Sequence, residues 1–447
     1  MAKMVTTETP KTAAKTLEVW LSGVRVGTLS QLQGRLGFSY AVAWLASGGA
    51  SALSQSLPLG DQAFDDGAAR PFFAGLLPEG GKRQLIAQTL QVSRQNDFAL
   101  LDSLGGECAG AVMLLEPGDT PPAPDAHRAV RWLDAPQLLA VLDELPLRPM
   151  LAGDEGLRLS LAGAQDKLPV VAEGKKIGLP LYGTPSTHIL KPPIQGVDGS
   201  VFNEGFCMAL ALALKLDVAK TQIRHVAGQA GQRDYLLVER YDRQAGLPNL
   251  RLHQEDFCQA LSVAPETKYQ SEGGPDLAQA FALLARATRP SAPQTLKLLD
   301  FVVFNALIGN HDAHGKNFSL LYTDKGAVLA PLYDALCTAV YPALTDKMAM
   351  KIGSKYKFAE VQARHWVQFA TQAGLSPAQV KKRILALAQR LPPLAHATLA
   401  SFDAEGNSHP VLAQIVTLIE QRCAQTIRRL TAAIEDDNHD AINNIAN

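Results

Sequence analysis

Between residues 305 and 319 the chain reads NALIGNHDAHGKNFS, and six of the eight residues from Asn310 to Asn317 are polar or charged although apolar segments flank them. Asp312 and Asn317 stand five apart, the Asp to Asn separation of a kinase catalytic loop. The spacing has a chemical reason. Phosphoryl transfer to a hydroxyl needs a carboxylate beside the attacking oxygen and an amide oxygen on a magnesium ion, both on one short rigid loop. A second metal-binding Asp should follow, and Asp334 in LAPLYDALC stands seventeen residues after Asn317. The pair alone recurs by chance, and a loop whose Asn and His satisfy buried backbone is the alternative. His311, Asp312 and His314 could also be metal ligands, but zinc draws its ligands from separated segments and no second His/Cys cluster is evident.

Such a site also needs a phosphate cradle and a lysine. In SLAGAQDKLPV, which begins at Ser160, the small residues Ala162, Gly163 and Ala164 would let backbone N–H groups approach phosphate oxygens closely. This is neither of the common glycine-rich phosphate motifs, and a plain Gly turn is the competing reading. THILKPP places Lys191 at the end of a short β-rich run, where a lysine that pairs with the α- and β-phosphates would stand. YLLVERYDR, residues 235–243, is a buried strand turning polar, the form of a lobe-connecting hinge whose backbone holds adenine. Cradle, lysine, hinge, Asp-x4-Asn and Asp follow one another in the order of a two-lobed kinase.

The elements that must position these residues are legible in outline. A chain of 447 residues exceeds one hydrophobic core and suggests two or three lobes. LEVWLSGVRVGTLSQL and LGFSYAVAWL alternate apolar and polar residues around a turn at Ser22-Gly23, the pattern of a small β-rich N-terminal module, and RQLIAQTLQV adds a short helix. EPGDTPPAPDAH, residues 116–127, holds four prolines and reads as a linker. Strands LPVVAE, STHILK and RDYLLVERY follow, with FCMALALALKLDVAK between them as a helix, because Ala, Leu, Met and Lys outweigh its Leu alternation. It would be apolar all round and buried between layers. From about 250 onward the patterns are nearly all helical. One such segment is SPAQVKKRILALAQRL, with Ser376 as cap and Pro377 at the first helical position. The expected division is 1–125 for the β-rich module, 126–240 for an N-lobe, 241–435 for a helical C-lobe and 436–447 for a frayed tail.

Composition removes several classes. Lys plus Arg total 42 against 43 Asp plus Glu, so a net charge of -1 gives no whole-chain attraction to nucleic acid or anionic lipid. The longest apolar run, from Phe206, reaches about half the ~20 residues of a bilayer-spanning helix, so no membrane crossing is expected. The polar N-terminus lacks a signal-peptide core, and five scattered cysteines form no metal spacing. A cytoplasmic protein with reduced thiols is the expectation.

Taken together, SLAGAQDKLPV, STHILKPP, NEGFCMALA, LLVERYDR, HQEDFCQAL, KYQSEGGPD, IGNHDAHGKNFSLLY and PLYDAL resemble the HipA family, kinase toxins of bacterial toxin–antitoxin pairs, over about residues 17–430. The resemblance implies an α+β, two-lobed kinase-like fold with a small β-rich N-terminal subdomain and an all-helical C-lobe. DAHGKN is closer to phosphatidylinositol-type kinases than to the His-Arg-Asp loop of protein kinases. It further implies that Asp312 accepts the proton and that Asn317 and Asp334 hold Mg2+, with His314 and Lys316 on the phosphates. ATP would be wrapped by Ala162, Gly163, Ala164, Gln165, Asp166 and Lys167. Lys191 would reach its phosphates, and Glu239, Arg240, Tyr241 and Tyr333 would complete the nucleotide site. Ser160 matches the serine that family members autophosphorylate to switch themselves off. The implied partners are a HipB-like helix-turn-helix antitoxin, operator DNA through that antitoxin, and an aminoacyl-tRNA synthetase as substrate, glutamyl-tRNA synthetase first. A small-molecule or lipid kinase, or a non-catalytic co-repressor of antitoxin and DNA, remains the alternative.

Overall fold

The computed structural model describes residues 14–123, 129–228, 231–244 and 247–445; the end of the proline-rich segment, from residue 124, lies outside them. Lys15–Leu21 and Val24–Leu32 form an antiparallel hairpin. Ser22 and Gly23 close it with φ of 50° and 82°, the positive values of a two-residue turn whose twist suits the strands. Arg35–Tyr40 and Val112–Leu115 extend the hairpin into a four-stranded sheet, with the helix Asp66–Ala74 against the Arg35–Tyr40 edge. The helix expected in RQLIAQTLQV, residues 83–92, runs over Gly80–Thr89.

A six-stranded antiparallel sheet follows, in the order Val130–Leu133, Lys176–Pro180, Leu168–Glu173, His188–Lys191, Gly231–Glu239, Thr221–Gly228. Successive strand residues face opposite sides, and the consequence is visible at one step: Leu237 enters the core that holds Leu17, Phe38 and Phe73, whereas Leu236 enters the other core with Phe206 and Phe304. The core of the N-terminal module therefore runs without a break into the first face of this sheet. The helix Ser200–Ala213 covers the second face and, as its composition predicts, is buried along most of its length, although Leu212 is 60% exposed.

Helices Leu277–Ala287, Ser291–Ile308, Ala363–Gln372, Pro377–Ala404 and Pro410–Ile445 build the C-lobe. Ser376 Oγ accepts the N–H of Gln379 at 3.5 Å and Pro377 opens its helix, as read from the sequence. The lobe is not all-helical, however. His253–Asp256, Ser319–Thr323 and Gly326–Leu329 form a three-stranded sheet, and Lys347–Ile352 pairs with Lys355–Lys357. KMAMKI consists of good helix formers, but the Ala349 N–H is bound to the His311 carbonyl at 2.8 Å, and tertiary pairing overrides the local preference. The last helix carries the backbone through most of 436–447. No helix among the described residues is long and apolar enough to cross a membrane, and all five cysteines are free and buried.

Candidate active site

Gly309 ends the Ser291–Ile308 helix in the left-handed region, φ 79°, and a Cβ there would meet the Ala339 side chain at 2.8 Å. The polar loop starts at that point and is braced by its own amides. Asn310 Oδ1 accepts the Asp312 N–H at 3.0 Å while its Nδ2 donates to Asn305 Oδ1 at 2.8 Å. Asn317 Nδ2 donates to the Asp312 carbonyl at 3.2 Å, which leaves the Asn317 amide oxygen as its free ligand atom. Asp312 Oδ1 accepts the Tyr269 hydroxyl at 2.6 Å. Burial pushes the Asp312 carboxyl above its ordinary value, which makes it a stronger base near neutral pH. Burial, then Lys268 and Lys316, push His314 well down, so this imidazole is neutral. Its Nδ1 has no hydrogen-bond partner among the described residues.

Asp334, with φ 53°, lines the same cleft. Its segment is pinned to the chain that follows the Ser200–Ala213 helix: the Leu332 N–H donates to the Asp217 carbonyl and the Ala219 N–H to the Leu332 carbonyl, both at 2.9 Å. Lys191 Nζ lies 2.6 Å from Glu204 Oε1 and also pairs with Asp334. Burial opposes the charge on Lys191, but Asp334 and Glu204 outweigh it and hold its pKa above the ordinary value. Burial likewise raises Glu204, whereas Lys191 and Lys167 pull Asp334 below the carboxylate range against the effect of burial. A buried Lys–Glu pair beside a metal-binding Asp is the arrangement protein kinases assemble around a nucleotide.

The small-residue segment also lines the cleft. Gly163 has φ 113°, its carbonyl accepts the Glu79 N–H at 3.1 Å, and a Cβ on it would reach Lys167 Nζ at 2.7 Å. Lys167 donates to the Ala162 carbonyl at 2.8 Å. The cleft measures about 520 Å³, inside the range of roughly 300–1,000 Å³ usual for small-ligand sites. Ala162 to Gln165 and Lys167 line it, as do Lys191, Glu239 to Tyr241, Asp312, His314, Lys316, Asn317, Tyr333 and Asp334. The Tyr241 and Tyr333 rings lie 5.7 Å apart at 32°.

Four of the expected side chains have protein partners. Asp166 turns out of the cleft to Lys82, 2.6 Å away. Arg240 lines the cleft, and its guanidinium is buried among Asp242, Glu107 and Ser186. Glu239 sends its carboxylate outward to Lys220 at 3.2 Å. The Lys316 ammonium is held by Asp256 at 2.6 Å and by the Gly75 carbonyl at 3.1 Å, which ties the loop to the N-terminal module. A buried ammonium needs a carboxylate within reach, and Asp256 is its neighbour. Ser160 is wholly buried beneath the cradle, its hydroxyl donating to the Leu76 carbonyl at 2.8 Å.

The structure also adds residues. Glu204 had a sequence signal, a lone carboxylate in an apolar helix. Tyr269 lies in KYQSEGGPD, a motif to which no role attached. Lys268 reaches Glu79 Oε2 at 2.8 Å, and nothing local to Glu79 marks it as part of the cleft.

With that geometry in hand, the comparisons are specific. Residues 17–115 match the HipA N-terminal domain and residues 159–394 the HipA-like C-terminal domain. The chain is 50% identical to the putative kinase Y4mE of Sinorhizobium fredii over 377 residues, covering 83% of this chain and 88% of the relative. It is 30% identical to the serine/threonine-protein kinase toxin HipA of Shewanella oneidensis, covering 84% and 88%. Among solved structures, a chain from the Shewanella oneidensis MR-1 complex of HipA, HipB and operator DNA superposes with TM-score 0.79 at 28% identity, covering 93% of this chain and 99% of that one. The chain therefore belongs to the HipA family and is a HipA-type serine/threonine kinase toxin.

Proposed function

We propose that this chain transfers the γ-phosphoryl group of ATP, with Mg2+, to a serine or threonine hydroxyl of a protein whose modification arrests growth. The observation that supports the reading is a single cleft lined by Lys191, paired with Glu204 and Asp334, and also by Asp312 and Asn317. Asp312 takes the proton of the acceptor hydroxyl as that oxygen bonds to the γ-phosphorus. The bond from the γ-phosphorus to the bridging oxygen breaks, and ADP leaves with the electron pair. Lys191 pairs with the α- and β-phosphates, and the backbone of Ala162 to Ala164 faces them.

The donor set suits magnesium. Among the described residues no cluster of three or more His, Cys, Asp or Glu could hold a metal alone, whereas magnesium is bound through one or two carboxylates together with substrate phosphates. Asp334 and the Asn317 amide oxygen would hold it. When bound, the ion neutralises charge on the phosphates.

By family resemblance the acceptor is an aminoacyl-tRNA synthetase, with glutamyl-tRNA synthetase the first candidate. A HipB-like antitoxin is the partner that brings the chain to operator DNA. Ser160 is the proposed site of autophosphorylation, the off-switch. The test is to incubate wild type and Asp312→Asn with radiolabelled ATP and a cell lysate and to identify the labelled protein. A wild-type protein that labels nothing overturns the reading.

A further inference from the structure

Asp312 has two carboxylate oxygens, and only one is free for an acceptor hydroxyl. Tyr269 donates to Oδ1 at 2.6 Å from a half-buried position on the cleft wall. We propose that Tyr269 is a positioning residue for Asp312, fixing the carboxylate so that Oδ2 faces the acceptor, and that the N-terminal module holds the tyrosine in place. The inference rests on the kinase reading above and assigns that site a residue and a supporting module.

The ring is constrained on two sides. Its face looks toward the Lys268 ammonium, 5.5 Å from the ring centroid, and His314 packs edge-on at 5.1 Å and 85°. The segment that carries it is clipped to the N-terminal module twice. Lys268 binds Glu79 at 2.8 Å, and Glu266 binds Arg70 at 2.5 Å, with Arg70 itself held by Asp97 at 2.7 Å. On the C-lobe side, Gln270 Oε1 accepts the Lys351 N–H at 2.7 Å, and the Tyr269 carbonyl accepts the Gly274 N–H at 2.8 Å. Burial and the adjacent Asp312 raise the phenol pKa, so the hydroxyl stays a donor at working pH. Glu79 also donates its N–H to the Gly163 carbonyl at 3.1 Å. One residue of the N-terminal module thus touches both the phosphate segment and the support of the base.

A carboxylate free to turn spends part of its time with no lone pair toward the acceptor, and misplacement by about 1 Å can cost on the order of 10²-fold in rate. Tyr269→Phe keeps the ring and deletes the hydroxyl. The experiment measures incorporation of label from radiolabelled ATP into lysate protein by wild type, Tyr269→Phe, Asp312→Asn and the double variant, with ATP concentration varied and thermal melting recorded with and without ATP. The expected result is a kcat lower by about 10- to 100-fold in Tyr269→Phe, with KM for ATP and the ATP-induced melting shift unchanged. In the Asp312→Asn background the same change should cost nothing further, because the residue acts through Asp312. Glu266→Gln, at an exposed position, should lower kcat by a smaller factor with KM for ATP unchanged. A Tyr269→Phe protein with wild-type kcat, a raised KM for ATP, or an equal fractional loss in the Asp312→Asn background would overturn the positioning role while leaving the kinase reading intact. A wild-type protein that labels nothing overturns both.

Discussion

Lys191 joins Glu204 to Asp334: one ammonium, buried at the end of the His188–Lys191 strand, is paired with a carboxylate on the Ser200–Ala213 helix and with another from the segment after the Asn310 to Asn317 loop. Strand, helix and loop are thereby set relative to one another before any nucleotide arrives. Removing the lysine leaves two carboxylates without their cation, and breaking a buried pair in this way costs about 3–5 kcal/mol. Lys191→Ala should therefore lower both the melting temperature and the affinity for Mg-ATP, and Asp334→Ala should weaken Mg-ATP binding as well as turnover. Calorimetry showing unchanged Mg-ATP affinity in both variants would refute the assignment.

Asp312→Asn should behave differently. Its carboxylate accepts the Tyr269 hydroxyl, and its proposed role is toward the acceptor, so ATP binding should survive while transfer falls by about 10²- to 10⁴-fold, or roughly 3–5 kcal/mol of barrier. Transfer at wild-type rate in this variant would remove Asp312 from the mechanism.

Ser160 cannot be phosphorylated where it lies, because its hydroxyl is fully buried and bound to the Leu76 carbonyl. The segment must leave the cleft first, and a phosphate carrying about -1.5 to -2 charges would then oppose its return beside an anionic nucleotide. We expect mass spectrometry to find phosphate on Ser160 in active enzyme and none in Asp312→Asn, with ATP binding lost in the modified form. Transfer between molecules should make the rate per molecule rise with enzyme concentration. Modified protein that still binds ATP would exclude the switch.

Two neighbours at the junction of module and C-lobe predict an unusual pH response. Glu255 accepts the Gln55 N–H at 2.9 Å and the hydroxyls of Ser54 and Tyr322, yet burial raises its pKa from 4.5 to about 7. His253 donates to the Leu53 carbonyl at 2.8 Å, and burial lowers its pKa from 6.5 to about 4. Folded Glu255 keeps a proton that the unfolded chain releases, so its contribution is present at low pH and lost as pH rises toward 7. Folded His253 lacks a proton that the unfolded chain takes up, so its contribution is present above about 6.5 and lost as pH falls toward 4. Each is worth on the order of 3 kcal/mol, and the two slopes oppose. Urea denaturation at about pH 5 and pH 7 should give similar midpoints for wild type, whereas Glu255→Gln should be clearly more stable at the higher pH. Equal midpoints in the variant would contradict this.

Much was legible in the residues themselves. The hairpin at Ser22-Gly23, the cap at Ser376-Pro377 and the loop from Asn310 to Asn317 are encoded by neighbours a few positions apart. At that range the spacing of side chains, a positive φ at glycine and a fixed φ at proline decide conformation without reference to the rest of the chain. The order of cradle, lysine, hinge and acids was likewise readable, since order is a property of the sequence.

Tertiary structure decided which of these charged groups meet. Lys191 and Asp334 are 143 residues apart, Tyr269 and Asp312 are 43 apart, and Lys316 and Asp256 are 60 apart. Lys191 and Lys316 both line the cleft, yet Glu204 and Asp334 pair with the first and Asp256 and the Gly75 carbonyl with the second, while Arg240 is claimed by Glu107 and Asp242. A buried charge must be paired, and its partner is whichever opposite charge or carbonyl the packing of distant elements brings within about 3 Å. Sequence names the charged residues, and packing chooses among their partners.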